Sequence, residues 1–412
     1  MKSLGRVVLS HSYNSIISVD NLLEAWREFV RGKRSRKDVQ EFQFNLMENI
    51  LALHTDLSSR RYKHSPYLAF NISDPKPRNI HKATVRDRLL HHAIYKNLYS
   101  FFDKTFAASS FSCRKGKGMH KAINTFRSYI YQASQNHTRT AWVLKCDIRK
   151  FFASIDHEIL LRILREYVPD EDVMRLFTEI LESFHSEKKG KGLPLGNLTS
   201  QLLVNIYMNK LDQFAKHSLK AKYYVRYADD FVFVSHDEKW LEGILPRVSR
   251  FLWDELRLTL HPNKVSIKTV ASGIDFLGWV HFPDHRVLRT STKRRAFQGI
   301  RKKEGDEATV QSYLGLMKHG NAYRVRQEAA ERAARALGGV ALAVQIPTYK
   351  EVSEILRLDQ LQEQGVYFFY DLGGQRNSFI ARCFLSRRHL PLRGHKFCNA
   401  TRYVSGCTVP LG

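Results

Sequence analysis

The chain has 412 residues, with 66 Lys and Arg against 40 Asp and Glu, a net charge of +26 and a pI near 9.9. A hydrophobic share of 43% is ordinary for a folded protein, and no apolar run approaches the ~20 residues of a membrane span, so no membrane partner is expected. This length predicts a large core divided into two or three subdomains, and the charge implies a polyanionic partner.

In chain order, residues 1–65 are predicted to be helix-rich. Leu22, Leu23, Trp26 and Phe29, then Phe42, Phe44, Leu46 and Leu51, recur at helical spacing. Pro75-Lys76-Pro77-Arg78 and the run Asp87–Ile94 follow, then Ser109–Gly118 with its basic centre Arg114-Lys115-Gly116-Lys117. Trp142–Cys146 reads as an apolar strand ending in Asp147, before Ile148-Arg149-Lys150-Phe151-Phe152 and a helix from about Asp156 through Leu160, Leu161 and Leu164. Gly192–Gln201 is a glycine-punctuated turn entering an amphipathic helix over Leu202, Leu203, Ile206, Tyr207 and Leu211, with Thr199 or Ser200 near its N-terminus. Gly196 permits close backbone approach there. Tyr223–Arg226 and Phe231–Val234 are β-branched and aromatic, so Tyr227-Ala228-Asp229-Asp230 falls at a hairpin tip. Residues 291–335 are helical and basic, with Tyr313, Leu314, Leu316 and Met317 as the apolar set. In the tail from 336 to 412, Val366–Tyr370 suits a strand and Gly373-Gly374 a turn.

Asp-Asp is also an ordinary turn dipeptide. Here a second acid, Asp147, ends another apolar strand. Neighbouring carboxylates at a buried hairpin repel unless a cation lies between them. Two divalent ions would supply it, and paired metals suit an in-line phosphoryl transfer. Mg²⁺ is held by a few carboxylates plus substrate phosphates, which makes Asp147 and Asp229 the main candidate ligands, Asp230 a supporting one and the Ile148 carbonyl a further one. Basic runs at Arg31–Lys37, Arg114–Lys117, Lys188–Lys191, Lys293–Arg295 and Arg301–Lys303 fit a long groove contacting phosphates. Five cysteines without a secretory leader fit a reducing cytoplasm. Cys383, Cys398 and Cys407 with His389 and His395 match no standard zinc spacing.

In this order the segments resemble a bacterial reverse transcriptase over roughly residues 20–325. Pro75–Arg78 with Asp87–Ile94 resembles the first finger motif and Ser109–Gly118 the second. Asp147 and Tyr227–Asp230 resemble the palm, while Leu258–Lys264 and Phe276-Leu277-Gly278-Trp279 resemble the following strand pair and primer grip. The resemblance implies an α+β right-hand polymerase: a helical N-terminal extension (1–65), fingers and palm (66–290), a helical thumb (291–335) and a C-terminal extension of unassigned role (336–412). It further implies catalysis by Asp147, Asp229 and Asp230 with two Mg²⁺ ions (or Mn²⁺), and a triphosphate clamp of Lys76, Arg78 and Arg114. Phe152 falls at the sugar gate, Leu195 and Gly196 at the nascent pair, and Lys264 where a proton could reach the leaving pyrophosphate. Gln201, Tyr227, Phe276, Leu277 and Gly278 are expected nucleic-acid contacts. No ribonuclease H or endonuclease signature is present.

Within that family the middle motif departs from the common pattern. Leu195 stands where most members carry Gln, and Ser200-Gln201 closes the segment. This is similar to the reverse transcriptases of diversity-generating retroelements, as are Asn21–Trp26, Phe42–Leu46 and Gly273–Gly278. Such enzymes copy a template RNA into cDNA with errors opposite adenine, working with deoxynucleotides, an RNA/cDNA duplex and a basic accessory variability protein. An aliphatic Leu195 cannot hydrogen-bond the nascent pair, and shape alone discriminates less than buried polar groups do. The alternatives are a group II intron-like or antiviral-defence reverse transcriptase and a non-catalytic RNA-binding scaffold.

Overall fold

The computed structural model describes residues 8–72 and 77–336, with the backbone of 367–372 and 379–384. Lys76 and most of the 336–412 tail, including Gly373-Gly374 and the Cys and His side chains named above, lie outside the described residues. The chain divides into two compact units, Met1–Leu277 with His281–Asp284, and Gly278–Val280 with His285–Gly412.

The first unit opens with helices Tyr13–Ile17, Val19–Phe29, Lys37–Phe44 and Leu46–Ser58. Ser18 caps the second of these by accepting from the Asn21 N–H, and Leu22, Ala25, Trp26 and Phe29 form its buried stripe at helical spacing. The apolar set expected beyond it is only partly right. The chain breaks at Asn45 (φ −112°, ψ 45°), which resets the helical phase, so Ile50, Leu53 and Leu57 turn inward. Phe44 is left 89% exposed and Leu51 is also on the surface.

Helix Val85–Thr105, capped by Thr84, buries Leu89, Leu90, Ala93, Ile94, Leu98 and Phe102. It packs against Val19–Phe29 on one side of its circumference and against helix Leu198–Gln213 on another. Sequence spacing predicts an amphipathic helix over Leu198–Gln213. Instead it is buried almost all round, Thr199, Ser200, Asn205, Asn209 and Asp212 included, with Gln201 exposed in its first turn. Two of its buried amides donate to protein carbonyls: Asn205 Nδ2 to that of Ser112 (2.9 Å) and Asn209 Nδ2 to that of Thr105 (3.2 Å).

Strands β1 (Leu68–Ile72) and β2 (Arg78–Lys82) form an antiparallel hairpin. A four-stranded antiparallel sheet is built from β3 (Trp142–Asp147), β4 (Tyr223–Tyr227), β5 (Asp230–Ser235) and β6 (Ser266–Thr269) in the order β4-β5-β3-β6. Helices Met119–Ala133 and Glu238–Leu256 pack on it. Phe231, Val232, Phe233 and Val234 are therefore buried in succession, on both faces of β5. Full burial of each such side chain is worth about 1.5–3 kcal/mol, which explains why this strand lacks polar alternation. One hydrophobic cluster runs from the N-terminal helices through these elements to Leu258.

The second unit contains helices Thr290–Lys302, Glu307–Met317 and Tyr323–Ala336, joined through buried Ala296, Phe297, Ile300, Met317, Ala329 and Ala333. A Cβ at Gly299 would stand 2.7 Å from the Tyr313 hydroxyl oxygen, so glycine permits this close crossing. In the tail, Tyr367–Leu372 pairs antiparallel with Phe379–Phe384, as the β-rich composition around Val366–Tyr370 predicts. Among the described residues no helix is long and apolar enough to cross a membrane.

Candidate active site

Strand register brings the acids together. In the β3–β5 pair Asp147 lies opposite Asp230, and in the β4–β5 hairpin Tyr227 lies opposite Asp230. Asp147 thus ends β3 at the edge where β5 begins, and Ala228-Asp229 is the two-residue turn beside them. Ala228 takes φ +56°, a position at which such turns favour glycine and where a Cβ costs about 1–2 kcal/mol.

The electrostatics are those of a crowded anionic site. Burial pushes the Asp230 carboxyl up to about 7, with Asp147, Asp229 and Asp275 adding like charge against the pull of Lys145. Asp229 is raised as well, by burial and then by Asp147, while Lys264 and Arg78 oppose the shift. Asp230 Oδ1 is buried with no hydrogen-bond partner. An unsatisfied buried carboxylate oxygen beside two other acids is a place where a cation gains energy.

The donor set fits Mg²⁺. Among the described residues no three His, Cys, Asp or Glu side chains are gathered as a complete metal cage. Mg²⁺ does not require one, because it keeps waters and takes substrate phosphates alongside one or two carboxylates. Asp147 and Asp229 would supply the carboxylates. The Ile148–Leu260 bridge is closed by Arg149 N–H to Thr259 O and His261 N–H to Asp147 O. The Ile148 carbonyl is therefore turned away from that neighbour, as a further ligand requires.

Other expected residues divide into those the fold places at the acids and those it places elsewhere. Lys264 Nζ donates to Asp147 Oδ1 at 2.9 Å from the turn before β6. Arg78 is exposed on β2 and acts electrostatically on Asp229. Tyr227 is half-buried and is bonded through its hydroxyl to Ser112. Phe152 is partly buried next to the core residue Phe151, ring centroids 5.5 Å apart.

The loop Leu193–Asn197 is stitched to β2. The His81 N–H donates to the Leu195 carbonyl (3.1 Å), and Asn197 Nδ2 reaches the His81 carbonyl (3.4 Å). Gly196 has φ +112°, and a Cβ there would meet Ile80 Cγ2 at 3.2 Å. Its glycine is thus required by backbone conformation and by contact with β2, and not only by approach to a ligand.

Two expectations are corrected. Arg114 is committed to structure: its side chain is 6% exposed. Its Nε donates to Asp103 Oδ1 (2.7 Å), Nη1 to the carbonyls of Ala107 and Ser110, and Nη2 to that of Asp103. It closes the C-terminal end of helix Val85–Thr105, with four of its five N–H groups engaged inside the protein. Phe276 is fully buried against Phe126 (5.1 Å), so its side chain is core. Leu277 and Gly278 remain half-buried with φ of 50° and 83°.

Sequence reasoning missed Lys145 and Arg226. Lys145 Nζ donates to the Asp275 carbonyl (2.6 Å) and lies 4.0 Å from Asp230 Oδ2. Arg226 is completely buried one residue before the Tyr227–Asp230 motif. The available signal was the same in both cases: one cation interrupting an otherwise apolar strand.

Residues 71–281 match the family Reverse transcriptase (RNA-dependent DNA polymerase). Protein YkfC of Escherichia coli K12 is 26% identical over 290 residues, covering 61% of this chain and 74% of that protein. The Group II intron-encoded protein LtrA of Lactococcus lactis subsp. cremoris is 24% identical over 280 residues, covering 52% and 45%. A putative COX1/OXI3 intron 2 protein of Saccharomyces cerevisiae is 23% identical over 317 residues, covering 61% and 35%, so the chain spans less than half of either intron protein. A solved telomerase of Candida albicans, in complex with a fragment of telomeric RNA, aligns with a TM-score of 0.45 at 11% identity over 68% of this chain and 57% of that one. With half of its length matched by the family and Asp147 paired with Asp230 by strand register, the chain belongs to the reverse transcriptases, RNA-dependent DNA polymerases of the right-hand fold.

Proposed function

We propose that this chain copies a template RNA into cDNA with frequent errors at template adenines, as the reverse transcriptase of a diversity-generating retroelement. The observation that carries the polymerase reading is the Asp147–Asp230 register with Asp229 in the adjoining turn. What supports the error-prone reading is Leu195. Its carbonyl is tied to β2, its side chain is half-buried and aliphatic, and it offers no polar group to a base pair. Discrimination there rests on shape, which separates similar partners less well than buried hydrogen bonds do.

In this reading Asp147 and Asp229 hold divalent metal, with Asp230 supporting and the Ile148 carbonyl completing the set. Bound Mg²⁺ would acidify the primer 3′-hydroxyl and neutralise the departing pyrophosphate. The protein's own groups orient the reactants. Arg78 on the exposed hairpin takes triphosphate oxygens as a guanidinium fork. Phe152 presents its ring to the sugar and excludes a 2′-hydroxyl. Lys264, bonded to Asp147, balances the charge of the acids and supplies a proton to pyrophosphate. Gln201, exposed on the first turn of a buried helix, and the Leu277-Gly278 turn contact template and primer. The surplus of positive charge binds the duplex phosphates, so affinity falls steeply with salt. A basic accessory protein and the template RNA complete the assembly.

The matches to intron-encoded proteins favour a second reading, an intron-type reverse transcriptase. Primer extension on a defined RNA template with Mg²⁺ and four deoxynucleotides, followed by cDNA sequencing, separates the two. Asp229→Asn is the inactive control. Errors concentrated opposite adenine are the expected result. Uniformly low error would leave the polymerase and remove the retroelement assignment, and no product from the complete assembly would revive the scaffold reading.

A further inference from the structure

Arg226 takes no part in the chemistry described so far, yet it is the most completely bonded cation beside the catalytic hairpin. It and Asp212 are both 0% exposed. Nε donates to Asp212 Oδ1 (2.7 Å) and Nη2 to Asp212 Oδ2 (2.6 Å), a two-pronged pair of the strong kind. Nη2 also donates to Ser110 Oγ (2.9 Å), and the Tyr224 hydroxyl donates to Asp212 Oδ1 (2.9 Å). The remaining nitrogen, Nη1, donates to the carbonyl of Ala228 (3.1 Å). Ala228 is the left-handed residue of the turn, φ +56°, immediately before Asp229. The main chain repeats the linkage: Arg226 N–H donates to Ser109 O (2.9 Å) and Phe111 N–H to Arg226 O (3.0 Å).

These bonds make one continuous path. It runs from Asp212 on the buried helix Leu198–Gln213, through a rigid guanidinium, to the carbonyl of the one turn residue whose conformation is unfavourable for its side chain. From the proposed polymerase reading and these contacts, we infer that Arg226, oriented by Asp212, Tyr224 and Ser110, is a positioning residue that holds the Ala228-Asp229 turn so that Asp229 and Asp230 present their carboxylates to metal beside Asp147. A lysine cannot substitute, because a single ammonium cannot span both Asp212 oxygens, Ser110 Oγ and the Ala228 carbonyl in the plane that the guanidinium fork occupies. Buried ion pairs can often be replaced by apolar side chains with little cost in stability. The bond from Arg226 to the turn is what an apolar pair would not supply.

The test uses the full chain with template–primer, comparing wild type, Arg226→Lys, the apolar double variant Arg226→Met with Asp212→Leu, and each of these combined with Ala228→Gly. Two readouts are taken: Mn²⁺ binding by electron paramagnetic resonance, and single-nucleotide incorporation as a function of Mg²⁺. Supporting residues behind metal ligands typically contribute about 10–100-fold in metal affinity or activity, and a loss of that size is expected in both Mn²⁺ affinity and kcat, with the KM for template–primer unchanged. Ala228→Gly should restore part of the loss, since glycine adopts the turn conformation without a tether. Folded variants with wild-type Mn²⁺ affinity, or variants that lose only thermal stability and gain nothing from Ala228→Gly, would overturn the inference. If wild type binds Mn²⁺ but incorporates nothing, the polymerase reading fails, while the Mn²⁺ comparison between variants still decides the role of Arg226.

Discussion

Replacing Asp230 with asparagine should abolish activity and at the same time stabilise the metal-free protein. The Asp230 carboxyl is pushed from an ordinary 3.8 up to about 7 by burial and by the neighbouring acids. A group whose folded pKa is raised binds more protons folded than unfolded between those two values. Stability therefore falls as pH rises from about 4 to about 7 and is level above. At pH 8 the folded state bears the full penalty, at most about 4 kcal/mol at 1.36 kcal/mol per pH step. The side chain is 22% exposed, and residual hydration should reduce this to about 2 kcal/mol. Asn keeps the shape and removes the charge. We expect Asp230→Asn to be more stable than wild type by about 2 kcal/mol in EDTA at pH 8, and by under half of that at pH 4, where folded wild type retains its proton and the unfolded chain is only about half ionised. Urea unfolding of the first unit at both pH values is the assay, with an unchanged m-value as the check that only stability has moved. Added Mg²⁺ should raise the wild-type midpoint more than the variant's. A variant no more stable than wild type, or a gain equal at both pH values, would refute the account of the site as a cluster of mutually repelling acids.

Arg114→Ala should cost about 3 kcal/mol of stability, the consequence of leaving Asp103 and three carbonyls without their buried partner. The KM for deoxynucleotide in the folded fraction should not change, and a selective rise in that KM would return Arg114 to the triphosphate. Leu195→Gln should lower misincorporation opposite template adenine when cDNA is sequenced, with correct incorporation retained. An unchanged error spectrum would place the source of errors elsewhere. Phe152→Ala should raise ribonucleotide incorporation by about tenfold or more, the scale on which apolar contacts discriminate. Equal exclusion of ribonucleotides by the variant in single-turnover assays would remove Phe152 from the gate.

The cluster of acids was legible because its signals are local. Apolar strands at Trp142–Cys146 and Phe231–Val234 need only their own composition to declare themselves, and an acid at the end of each can converge on one site, as the β3–β5 register makes it do. Helix Val19–Phe29 was legible for the same reason, since its buried stripe follows from a spacing of three and four. Helix phase failed at Phe44, two positions and so about half a turn from the core-packed Phe42, and at Leu51, where the break at Asn45 rotated the following face.

Which charged or aromatic side chain serves chemistry and which serves packing was decided only by tertiary structure. Arg78 and Arg114 look alike in sequence, but Arg114 meets Asp103 and a helix end while Arg78 stays on an open hairpin. Phe276 reads as a nucleic-acid contact until Phe126, 150 positions earlier, covers its ring. Arg226 is one more cation among 66 until Ser110 and Asp212, 116 and 14 residues away, converge on it and it in turn reaches Ala228. Local sequence determines the period and the ends of an element, because those depend on neighbours along the chain. The partner of a side chain depends on which distant segments pack against it, and desolvation by that packing also sets whether a carboxylate such as Asp230 holds its proton.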